Sequence, residues 1–359
     1  MKSGSIISSL SSLFTFLILL MLFGGVDCKH NPADSTVLPD TTSHEFSWDI
    51  QTFGGGAGSS YLSDIAIVDE NNIWSVGQIY VQDSTGQPEQ HPYNVVHWNG
   101  AEWELDRFQF PICGTGDTAP FPARAVFAFS NNEVWFTSAG TIMRLRDGAT
   151  SNICIPSDLL TGSINELWGS SPEDVYIVGN LGTILHYDSQ NWQKIDSGTD
   201  QTINDIWGVF DEQTLDHKIF CAVSSKFQAG EMKILQILPG NVVQEFDWQP
   251  QRSMQSIWFG ENTPLYTCGD GFFIYEQDSW RQAQDLPKIY KNRVRGNHQF
   301  DVFVAGDFGL LAHLNGNSWF VYDSLALNAG SYKGLAISNN IVAAVGYNGD
   351  KAVILIGKR

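Results

Sequence analysis

Polar side chains with chemical potential recur at two fixed places in this chain. The first is a histidine six residues ahead of a tryptophan, in "HWNGAEW" from His97, "HYDSQNW" from His186 and "HLNGNSW" from His313. Imidazoles gathered at one point would bind a metal, but these three belong to separate copies of one repeating unit. A repeat spreads equivalent positions apart, so packing or a turn hydrogen bond is their expected role. No CxxC or His-rich spacing adds a zinc pattern, and no metal or other cofactor is expected. The second place is the polar residue entering the first apolar run of each unit: Asp64, Arg124, Glu166, Asp205, Gln255, Arg293 and Lys333. Acids stand in units 1, 3 and 4 and bases in units 2, 6 and 7. Such a ring is either a solvated rim or a mouth that holds a polar or charged ligand. Glu166 and Asp205 facing each other would be the carboxylate pair that glycoside chemistry needs. No nucleophile motif, phosphate loop or calcium loop accompanies them.

The elements that position these residues are legible as a repeat. "INELWGS" at Ile164 returns as "INDIWGV" at Ile203 and, loosened, as "MQSIWFG" at Met254. Each is followed by a second apolar run, such as "DVYIVG" from Asp174, and a third, such as "TILHYD" from Thr183. A Trp-led fourth follows at Trp103, Trp192, Trp280 or Trp319. Asn-Gly and Asp-Ser between the third and fourth runs are hairpin signals. First strands begin near Leu62, Ala123, Ile164, Ile203, Met254, Lys291 and Tyr332, mostly about 40 residues apart. No helical pattern intervenes, and "DVFVAG" from Asp301 is apolar on both faces. The expected fold is all-β, a seven-bladed β-propeller of four-stranded antiparallel blades. The last unit holds only three strands. The spare strand "EFSWDI", residues 45–50, is expected to join it, closing the ring and covering an edge. Trp168, Trp207 and Trp258 are expected as wedges between blades.

With the usual strand order, the loops entering first strands and those between second and third strands share one face, here the top. Insertions fall there: residues 78–94 and 108–123 in unit 1, and 224–232 in unit 4. Long loops on a rigid ring are where binding resides. Phe108, Phe110, Phe121 and Phe227 either anchor a partner or pack the loops down.

Composition agrees with this reading. With 34 Gly, 12 Trp and only 16% charged residues, the chain is a turn-rich β protein. Its net charge of −19 repels phosphate backbones and excludes nucleic acid as a partner. Residues 1–28 read as a targeting segment: Lys2, the run "FLILLMLF", small residues, then Cys28. Cys28 resembles a bacterial lipoprotein acylation site, although Gly25 and Asp27 depart from that pattern. Ordinary cleavage and an uncleaved anchor through residues 6–23 are the alternatives. Residues 29–43 would be a tether and 44–359 a single propeller domain. In an exported chain Cys113 and Cys154 are candidates for a disulfide, while Cys221 and Cys268 read as buried small hydrophobes.

The "INDIWG", "DVYIVGN" and "GTILHYD" runs resemble the units of bacterial exported propellers in the style of BNR-like and photosystem-assembly-factor-like repeats. The resemblance spans residues 62–359 and is specific for fold, not function. The Ser-x-Asp-x-Gly-x-x-Trp box of sialidase-type blades is absent. The resulting expectation is a non-enzymatic, monomeric cell-envelope ring that binds a protein or glycan through its top loops. It would touch a membrane only through its N-terminal anchor. The alternatives are a polysaccharide-acting hydrolase or lyase with acids at the channel mouth, and a subunit of a larger envelope complex.

Overall fold

A computed structural model describes residues 41–130, 132–225 and 231–359. Seven four-stranded antiparallel sheets form the ring, each meandering from an inner to an outer strand. Blade 3 is representative: Ile164–Ser171, Asp174–Gly179, Ile184–Tyr187 and Trp192–Lys194, paired in that order. Inner strands of the other blades are Tyr61–Asp69, Val126–Ser130, Ile203–Asp211, Met254–Trp258, Lys291–His298 and Gly330–Ser338. Blade 2 starts later than the expected Ala123. Pro120 and Pro122 supply no N–H there, and pairing resumes with Arg124 N–H on Thr137 O at 2.8 Å.

The closing strand is Ser47–Gly54, longer than expected. It lies antiparallel to Lys351–Lys358, with Ser47 opposite Lys358 and Gly54 opposite Lys351. It enters from the bottom face, so residues 41–46 and the C-terminal Arg359 both lie at the bottom.

Each pair of adjacent blades encloses its own apolar cluster. The Trp-Gly pair of the repeat explains part of the fit. The Trp168 ring lies against Gly208 of blade 4, where a Cβ would stand 2.6 Å from it, and Trp258 lies against Gly296 of blade 6 in the same way. At these two seams the tryptophan of one blade fits because the next presents glycine, whereas half-buried Trp207 meets Phe259 and donates to its carbonyl at 2.9 Å.

A bulge near the head of the inner strand recurs in six blades. In blade 3 Ile164 faces Gly179 and Glu166 faces Val178, which leaves Asn165 as the extra residue. The same step occurs at Ser63, Asn204, Gln255, Asn292 and Lys333. A bulge redirects the side chains on either side of it. Here it lets the asparagines tie blade to blade: Asn165, Asn204 and Asn292 donate to Ile203 O (3.1 Å), Met254 O (2.8 Å) and Tyr332 O (2.9 Å).

Candidate functional site

The bulge splits the expected ring of polar residues in two. Arg124, Gln255 and Lys333 stay near the top surface, Arg124 exposed and the others half-buried. Asp64, Glu166, Asp205 and Arg293 do not form a solvated rim: all four are buried in the channel. They converge there with Arg295. Asp205 accepts two hydrogen bonds from Arg295 and one from Arg293, each at 2.9 Å. Ser256 O–H (2.5 Å), Ile257 N–H (3.0 Å) and Ile206 N–H (3.1 Å) also donate to it. Arg293 also reaches Asp64 at 3.4 Å and lies 2.6 Å from Glu166 Oε2, an ion pair outside hydrogen-bond alignment. Asp64 in turn accepts Val126 N–H of blade 2 at 3.0 Å.

Three carboxylates thus face two guanidinium groups. The deficit does not fall evenly. Burial alone would raise Asp205, but Arg295 and Arg293 outweigh it and hold its carboxyl below the usual range. Asp64 and Glu166 share what Arg293 has left. Burial raises Asp64, and burial together with the charges of Asp64 and Asp205 pushes Glu166 up to about 8. At neutral pH one proton on Glu166 balances the cluster.

Below this cluster the channel widens into a cavity of about 190 Å³, lined by Asp64, Glu166 and Arg295 at its inner end and by Phe127, Trp207 and Leu335 among its apolar walls. A polysaccharide does not fit such a space. Glu166 and Asp205 are locked by arginine and stand as no free catalytic pair.

The top face carries a built platform on blades 1 and 2. Asn94 Nδ2 donates to Phe108 O and Phe121 O, both at 2.8 Å, and Asn94 Oδ1 accepts Phe108 N–H at 2.8 Å. The chain between them folds into a ribbon of Phe110–Pro111 and Thr118–Ala119. A disulfide joins Cys113 to Cys154 at the end of blade 2. Arg107 pairs with Glu89, donates to His91 O at 3.1 Å and covers the Tyr93 ring at 3.6 Å, pinning the neighbouring insertion. Phe110 is not an exposed anchor. It is fully buried between blades 1 and 2, and Phe108 packs half-buried on Phe136 beside it. The aliphatic and aromatic groups left outside are Ile112 (37% exposed) and Phe121 (42%). Phe227 and Cys28 lie outside the described residues.

No protein-family profile and no curated protein matches the chain. Solved structures do. YCF48 bound to D1 peptide superposes with a TM-score of 0.65 at 14% identity, covering 89% of this chain and 99% of that one. A catalytically inactive virginiamycin B lyase from Staphylococcus aureus, solved with quinupristin, gives 0.62 at 13%, covering 86% and 99%. The WD40 propeller of Doa1 gives 0.61 at 12%, covering 88% and 98%. The shared property is the propeller fold.

The repeated histidines are structural. Each hydrogen-bonds the first residue of the second strand and stacks on the third. His97 pairs with Asn72 (3.1 Å) and Trp74, His186 with Asp174 (2.6 Å) and Tyr176, His313 with Asp301 (3.0 Å) and Phe303. No three His, Cys, Asp or Glu side chains among the described residues group to hold a metal. In blade 6 the motif is extended into a clasp for the N-terminal segment. Burial alone would raise Asp301, but His313, Arg359 and Asn297 hold it down at about 2, so it can only accept. His313 Nε2 therefore carries a proton, and its bare Nδ1 takes the Nδ1–H of His44 at 2.9 Å. His44 Nε2 is left buried without a partner.

Arg295 is the residue that sequence reasoning missed. It occupies the slot that holds Trp168, Trp207 and Trp258 in other blades. A lone base in a slot held by an aromatic residue or alanine in the other blades was the available signal.

Proposed function

We propose that this chain is an exported, non-enzymatic binding scaffold that captures a polypeptide partner on the top face of blades 1 and 2. The observation that carries the reading is the platform: two insertions fixed by a disulfide, an asparagine hub and Arg107, with Ile112 and Phe121 held outward. Fixing loops before contact lowers the ordering cost of binding, and aromatic side chains are favoured anchors. A propeller of the same fold, YCF48, is known with a peptide bound. The disulfide suits an oxidising compartment. A tether through residues 29–43 to a lipid on Cys28 would leave from the bottom, where residue 41 lies, and turn the platform away from the membrane.

The test is capture of partners from a native envelope extract by wild type and by I112D/F121D. At least a roughly tenfold loss of the captured protein with unchanged melting is expected. Equal capture by both would sink the platform reading. Recovery of glycan alone would replace the polypeptide by a glycan partner.

A further inference from the structure

The charge cluster closes the channel from above and leaves a blind well opening toward the bottom. Its walls are apolar and aromatic, its volume is about 190 Å³, and its inner end carries Asp64, Glu166 and Arg295. Two features distinguish this end from a self-sufficient ion cluster. The carboxylates outnumber the guanidinium groups, and the excess sits on Asp64 and Glu166, since Asp205 takes two hydrogen bonds from Arg295 and one from Arg293. Glu166, 4% exposed, also has an Oε2 that meets the charge of Arg293 at 2.6 Å without an aligned hydrogen bond. A buried acceptor with no aligned donor, in a cluster one cation short of its carboxylates, suits a cation that can donate and take the place of the balancing proton.

We propose that the lower channel is a binding site for a primary alkylammonium group, whose N–H donors meet Glu166 and Asp64 while its carbon chain lies along the apolar wall. The shape suits the alkyl chain and the Phe127 and Trp207 rings favour a cation. Arg295 opposes it, but that guanidinium is already engaged with Asp205 and lies over the Trp207 ring at 4.6 Å. Entry of the cation expels the proton that otherwise balances the cluster. The exchange is neutral overall: one ammonium enters, one proton leaves to solvent. The site lies on the face opposite the platform, so it stands or falls independently of the proposed partner.

The same chemistry could be brought by a free amine or by a lysine side chain, whose terminal portion is a butylammonium. The experiment is isothermal titration of the full chain with n-butylammonium, n-butanol and Nα-acetyl-lysine methylamide, each in two buffers of different protonation enthalpy. Butylammonium should bind with release of one proton, butanol at least about tenfold more weakly, and the infrared band of a protonated carboxyl should vanish on saturation. Affinity should rise with pH up to about 8, where Glu166 loses its proton unaided, then level off and fall as the amine deprotonates near its usual value of about 10.4. Binding of the lysine derivative as well assigns the site to a polypeptide lysine; its failure assigns it to a free amine. E166Q should abolish proton release and weaken binding about tenfold or more. L335W, which fills the well without touching the carboxylates, should block the amine yet keep the infrared band, so the test survives a failure of E166Q to fold. Equal binding of butanol and butylammonium, no detectable binding of either, or no proton release would overturn the proposal.

Discussion

Two buried ionic networks hold this ring, and they fail in opposite directions. In the channel, three carboxylates share two arginines, so the folded state keeps a proton that the unfolded chain releases at the usual carboxylate range. Glu166 titrates at about 8 instead of 4.5, so its contribution is full below 4.5 and is lost as pH rises through 8, while Asp205, held low, gives way only in stronger acid. At the bottom clasp the shortage is of acceptors. His44 and His313 are both lowered, chiefly by burial, and a proton added to either leaves an N–H at His44 Nε2 with nothing to meet. There the unfolded chain takes protons first, and stability falls as pH drops below the ordinary histidine value of 6.5. Asp301 joins the loss only between 3.8 and about 2. Similar ingredients thus give opposite pH responses, because one site lacks cations and the other lacks acceptors.

The comparison can be broken at its anchors. Arg293→Met leaves three buried carboxylates with Arg295 alone. It should cost about 3–5 kcal/mol, read by chemical denaturation, more than any other single change proposed here. Asp301→Asn weakens the contacts of His313 and Arg359 and should cost about 2–3 kcal/mol. It should also deepen the loss below 6.5, because the carboxylate that favours protonated His313 is gone, and remove the step between 3.8 and about 2. Two milder changes sharpen the contrast through melting temperature against pH. Glu166→Gln keeps the shape of the protonated acid and should flatten the decline between 4.5 and 8 while leaving the acid limb intact. His44→Phe should do the reverse, keeping the stack on Phe320 and shrinking the acid limb to the share that His313 contributes. If both variants altered the same limb, the two networks would not be separate. The smallest effect is expected from Asn165→Ala, which removes one tie between blades for about 1 kcal/mol and should change neither limb.

The fold was legible because its signals repeat. The Trp-Gly pair, the hairpin turns and the short final unit all point to the same seven-bladed ring with a borrowed strand. The Trp-Gly pair proves to have a physical cause, since Trp168 needs the bare surface of Gly208. The site was less legible because second positions of the inner strands were grouped with third ones. Arg124 and Lys333 follow their strand heads, Ala123 and Tyr332, by one residue and lie at the rim; Asp64 and Glu166 follow Leu62 and Ile164 by two and point inside. Phe110 misled for a similar reason: a loop position did not reveal that the ribbon around it turns the ring into the seam between blades.

The closing strand has a consequence for how the chain is made. Ser47 reaches its partner Lys358 from 311 positions away in the sequence. The first strand synthesised is therefore the last to find its place. Until the final blade exists, residues 47–54 are an unsatisfied strand waiting beside a growing stack of sheets. Long-range closure of this kind is slow, because the loop entropy is lost before the contacts form.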